Sequence, residues 1–187
     1  MPNQNTPFGL RPLRDAASGP HNGGLEMFYV PATDGTALYI GDPVAKTGEA
    51  DAAGTAAVIR AVAAGPITGV VQGFVPDGTT NMVGYRAANT AAYVLCATDP
   101  EAVYEIQDSV AGGTVAADVG MNALLVVGTG NAYTKRSGFT LGVKAATATH
   151  PLKIMGLVPR VGNEIGQYDK VLVKINFSTE AHASLGY

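Results

Sequence analysis

From Leu25 onward the chain alternates between short apolar runs and clusters of Gly, Pro, Asp and Thr. Runs of that length, bounded by turn residues, predict strands. "LEMFYVP" is rich in aromatic and β-branched residues and stops at Pro31, and the Asp-Gly that follows suits a tight turn. "TALYIGDPVAKTG" is a second extended stretch, bent in the middle by Gly41-Asp42-Pro43. "AVIRAVAAG" suits a helix by its alanines, but Val58, Ile59 and Val62 between Gly-rich loops favour a strand. "PITGVVQGFVPDG" is a strand in which Gly69 and Gly73 mark a bulge or a close backbone approach.

"AAYVLCATDPEAVYEIQ" predicts a hairpin turning at Thr98-Asp99-Pro100-Glu101, with Asp ahead of Pro opening a type I turn. Its acids, Asp99, Glu101, Glu105 and Asp108, are expected on the wet face. "TVAADVG" reads as one helical turn capped by Thr114 and closed by Gly120. "ALLVVGTG" reads as a buried strand, and "NAYTKRSG" as an exposed loop. "FTLGVK", "LKIMGLVPR" and "KVLVKINFS" complete the set, the last with Val171, Val173 and Ile175 on one face. About eight to ten strands with little helix predict an all-β fold, a single antiparallel β-barrel or a jelly-roll-like sandwich over residues 25–187. No internal repeat of useful length and no second domain is expected.

Residues 1–24 differ. Pro2, Pro7, Pro12 and Pro20 disfavour helix, so the segment is expected to be an extended N-terminal arm. Phe8, Leu10 and Leu13 are its apolar anchors, and Arg11 and Arg14 its charges. Such an arm is either a partly ordered terminus or a strap across a neighbouring subunit.

Composition narrows the function. Of 187 residues only 14% are charged, against roughly 25% in an average soluble domain. The net charge of −3 and scattered Lys and Arg exclude nucleic-acid binding through the phosphate backbone. The single Cys96 precludes an intramolecular disulfide and suits a small buried side chain. No apolar run suggests a signal peptide or a membrane helix, so synthesis in the cytoplasm and no membrane partner are expected.

No catalytic, cofactor-binding or metal residues emerge. His21, His150 and His182 have no ligand-spaced neighbours, and His150 and His182 are expected to be solvated. The serines lack a nucleophile motif, and Gly128-Thr129-Gly130 is a turn rather than a dinucleotide loop. Asp42 is the one suggestive carboxylate, yet Tyr39 and Lys46 are not diagnostic partners. A structural corner is the better reading of Gly-Asp-Pro.

"NTPFGLRPLR", "FYVPATDGTALYIGDPVAKTG", "ITGVVQGFVP" and "LKIMGLVPRVGNEIGQYDKVLVKIN" together resemble a group of tailed-bacteriophage head proteins, the decoration or cement proteins. The resemblance is one of texture and segment order along nearly the whole chain. It implies a non-enzymatic virion protein on the outer surface of the capsid, clamping neighbouring major capsid protein subunits. It also implies a homo-oligomer, a dimer or trimer at capsid symmetry axes. Phe8, Leu10, Arg11 and Arg14 are the expected contacts of the clamp. The alternatives are a head–tail connector or tail protein, and a carbohydrate-binding or hydrolytic barrel with Tyr85, Tyr93 and Tyr104 along a sugar groove.

Overall fold

The structure, a computed structural model, describes residues 3–15, 19–78 and 84–181. These residues form strands β1 (Arg11–Asp15), β2 (Glu26–Val30), β3 (Pro43–Ala50), β4 (Ala56–Arg60), β5 (Gly69–Phe74), β6 (Ala92–Ala97), β7 (Ala102–Gln107), β8 (Asn122–Val126), β9 (Thr140–Ala145), β10 (Leu152–Leu157) and β11 (Lys170–Ile175). A short 3-10 helix, Ala116–Asp118, lies between β7 and β8.

Local pattern accounts for most of these elements. In β11, Val171, Val173 and Ile175 are buried while the residues between them are half-exposed. The alanine-rich stretch is indeed a strand, because β4 finds β3 as an antiparallel partner, Val44 opposite Arg60. The helical turn differs in its cap. The Asp118 carboxylate accepts from the Val115 amide at 2.9 Å, and Thr114 turns inward to two buried acids.

The expected all-β barrel character is present, with the strands divided between two curved sheets. One is a closed barrel of order β2-β4-β3-β5-β6; the other has the order β1-β7-β11-β10-β8-β9. The second sheet curls until β7 meets β9, through a parallel bridge between Asp108 and Leu141 and a 3.3 Å bond from the Ser109 amide to the Leu141 carbonyl. The expected hairpin is not formed. Thr98–Glu101 does turn, with Asp99 Oδ1 accepting from the Glu101 amide at 2.8 Å, but the turn is the crossing from one barrel to the other. β6 pairs with β2 and β5, and β7 with β1 and β11. A turn sequence specifies a bend, whereas pairing goes to whichever strands complete each closed sheet.

The two units share one topology. In each, the first strand is antiparallel to the fifth and bridges in parallel to the third; the second pairs with the third and fourth, and the fourth with the fifth. The registers agree in detail. β5 shifts between Val71 and Gly73 against β6, and β10 shifts between Ile154 and Gly156 against β11. The matching segments are Val71-Gln72-Gly73-Phe74-Val75-Pro76 and Ile154-Met155-Gly156-Leu157-Val158-Pro159, followed by the paired Val94-Leu95 and Val171-Leu172. The chain therefore contains an internal structural repeat, contrary to the reading of its sequence. Only the bulged strand and its partner keep a visible likeness.

One core, with Phe28, Val30, Leu38, Val44, Val58, Val71, Val94 and Cys96, fills the first barrel. The other, around Tyr104, Ile106, Leu141, Ile154 and Val173, fills the second and extends into the seam, where Leu10, Ala61, Ile67 and Val70 join it. Backbone bonds also cross the seam, from Leu125 to Ala63 and from Ser137 to Ile40.

Candidate functional site

The arm is a strap laid over both barrels. Asn3 donates to the Glu164 and Gln167 carbonyls at 2.7 and 3.2 Å. The Thr6 amide donates to Gln107 Oε1 at 2.7 Å, and Gln107 Nε2 donates to Asn5 Oδ1 at 2.8 Å. At the seam the Leu10 amide donates to the Gly41 carbonyl at 2.9 Å. Gly9 (φ +74°) passes so close that a Cβ there would lie 2.2 Å from the Gly41 oxygen and 2.5 Å from Ser137. Beyond it, β1 runs antiparallel along β7.

The four residues expected to grip a neighbouring subunit all lie on the chain's own body. Leu10 is 1% exposed within the core. Arg11 pairs with Glu105 and lies 5.3 Å from the centre of the half-buried Phe8 ring. Arg14 sits in β1 opposite Val103 and bridges to Pro20.

Of the acids expected on a wet hairpin face, Asp99 and Glu101 are exposed, whereas Glu105 and Asp108 are buried. The fully buried Glu105 joins Arg11 of the arm to Arg160, 3.0 Å away in the loop after β10. Asp108 and Asp169, both fully buried, share the Thr114 hydroxyl at 3.0 and 3.2 Å. Lys144 reaches Asp108 at 2.5 Å, Asp118 at 3.5 Å and the Gly113 carbonyl at 2.8 Å. Burial, reinforced by the Asp108 charge, raises the Asp169 pKa. Sequence reasoning missed this centre because its members are far apart in the chain and meet only when β7, β9 and the loop before β11 close the second barrel.

Asp42 is the corner anticipated from Gly-Asp-Pro. Its Oδ2 accepts from the Tyr39 amide at 2.9 Å, and its own amide donates to the Tyr39 carbonyl at 3.0 Å. Burial raises the carboxyl from 3.8 to about 6, opposed by Ser137, the Tyr39 amide and Arg60. Ser137 lies close enough to favour the charged form without completing a well-formed bond, so Oδ1 has no partner. A carboxyl raised on folding contributes stability below about pH 3.8 that is lost as pH rises through about 6. That penalty is about 3 kcal/mol at most. Asp42→Asn is therefore expected to gain about 1–2 kcal/mol at pH 8 and to flatten the stability profile across the acid range. Urea titrations at pH 4, 6 and 8 (nominal settings, about two units apart) read this.

The remaining candidates disperse. Tyr104 is buried in the core, Tyr93 donates to Asp51 at 2.6 Å, and Tyr85 stacks on Tyr39 with ring centres 5.2 Å apart. These three tyrosines line no common groove. His21 and His150 are half-buried, the latter with an unpartnered Nδ1, and His182 lies outside the described residues. Gly128-Thr129-Gly130 is not itself the turn expected there, which falls at 132–135, and Gly128 lies against Gly138. Among the described residues no His, Cys, Asp and Glu cluster could hold a metal ion. Hollows beside the arm measure about 260 Å³ near Asn3, Arg160 and Lys170 and about 130 Å³ near Phe8, Gln72 and Arg136, below the usual size of a small-molecule site.

Comparison with known proteins returned no matching family model, no matching curated protein and no matching solved structure.

Proposed function

We propose that the chain is a structural virion protein that seats on the outer surface of a tailed-bacteriophage capsid and clamps neighbouring major capsid protein subunits. One observation carries this reading: several charged groups are buried in internal contacts while large apolar side chains are left on display. Glu105, Asp108, Asp169 and Lys144 hold the arm and the second barrel together. Val161, Tyr133, Val62 and Val143 are exposed, at 102%, 93%, 63% and 61%. A closed barrel and a second sheet curled until its ends meet, strapped together by an arm, make a body suited to bearing load across a seam. Burial of apolar area at many symmetric positions would stabilise a shell by multiplying a modest contact.

Quantitative mass spectrometry of purified virions tests the reading. A copy number in simple ratio to the major capsid protein is expected. A handful of copies would move the protein to the connector or tail, and its absence from virions would end the proposal. Deleting residues 1–20 is a poor alternative, because it removes Leu10 from the core and uncovers Glu105 and Gln107.

A further inference from the structure

The internal repeat exposes an asymmetry between the barrels. Leu95 and Leu172 occupy equivalent places beside the two bulges. Met27 lies opposite Leu95, and Glu105 opposite Leu172, so Met27 is the counterpart of Glu105. Two residues earlier, Leu25 corresponds to Val103. In the second barrel this position is closed: β1 pairs along the free edge of β7, and Val103 and Glu105 are 1% and 0% exposed. In the first barrel the same position is open. Away from β6, β2 pairs among the described residues with β4 alone, at Tyr29 opposite Ala57. Leu25 and Met27 are 39% and 49% exposed. The edge carries no Lys or Pro, the usual guards against strand addition.

We infer that the Gly24–Met27 edge of the first barrel accepts an extended strand from the major capsid protein, antiparallel to β2, as β1 is to β7. This rests on the capsid reading. Each chain has one arm for two such edges, and its own arm already occupies the second barrel. Among the described residues no second segment covers the first edge, which leaves it to a strand from a partner. Pairing this edge with the same edge of a second copy in the register centred on Glu26 would set Glu26 opposite its own counterpart, like charges that destabilise a cross-strand pair. The fitting occupant carries apolar side chains over Leu25 and Met27 and a Lys or Arg near Glu26. Main-chain bonds supply affinity and the alternate side chains supply selectivity.

The test is co-sedimentation with capsids assembled from the major capsid protein alone. The double variant Leu25→Lys, Met27→Lys keeps its fold because both side chains are exposed, which circular dichroism checks. It is expected to bind at least about tenfold more weakly than the wild type, two cations having been set into an apolar strand contact. A photo-crosslinking residue replacing Leu25 is expected to mark one extended segment of the capsid protein. Equal binding by variant and wild type would overturn the edge inference and leave the capsid reading standing, as would crosslinks solely to another copy of this chain. Failure of the wild type to bind would sink the capsid reading and the inference with it.

Discussion

Arg86→Met is expected to destabilise the protein by about 3–5 kcal/mol, the usual result of removing one member of a buried ion pair. Arg86 is fully buried, and its donors are matched by acceptors from one loop system. Nε donates to Thr90 O at 2.7 Å, Nη1 to Asp34 Oδ2 and Thr36 O at 3.0 and 2.5 Å, and Nη2 to Pro31 O and Asp34 O at 2.8 and 2.9 Å. Methionine fills similar volume but takes away the donors that Thr36 O, Thr90 O and Asp34 Oδ2 use here, while Pro31 O, Asp34 O and Asp34 Oδ1 keep backbone amides of their own. Arg86→Lys keeps the charge yet lacks the planar fork, so it is expected to lose about 2 kcal/mol or more. Urea denaturation reads both. A loss below about 1 kcal/mol for the methionine variant would show that water enters and satisfies the site.

Lys144→Met is expected to lose a comparable amount, about 3–5 kcal/mol, with a distinctive pH dependence. Without the ammonium, Asp108, Asp118 and Asp169 share a buried site with no countercharge. Asp169 already has a raised pKa in the wild type, and losing Lys144, which opposes that rise, moves it further up. Stability of the variant is thus present at low pH, where Asp169 is neutral, and lost as pH rises through its raised folded pKa. Adding Asp169→Asn should restore part of the loss at neutral pH by removing one of the crowded charges. A variant equally destabilised at acid and neutral pH would point to lost packing instead.

The behaviour of these sites separates what is local from what is not. The positions of the strands were legible because apolar runs and turn residues act within a few neighbours. The bulge at Gly73, the bend at Gly-Asp-Pro, the burial of Cys96 and the loop at Tyr133 all follow from such short-range preferences. Glu105 and Asp108 were misplaced for the opposite reason. Period-2 patterning puts polar residues on a solvent face only if that face stays uncovered, and here the arm and the loops around the second barrel cover it.

The repeat was hidden for a related reason: a closed barrel requires strand order and inward apolar residues, which many sequences satisfy, so only the bulged strand and its partner retain a likeness. By itself the sequence determined that the chain is all-β, where it bends, and that its first residues form an arm. The tertiary structure alone decided that there are two barrels, which strands pair, that the arm folds back on its own chain, and that one of two equivalent edges is left open. Those outcomes depend on contacts between residues far apart in the chain, whose energies no local window contains.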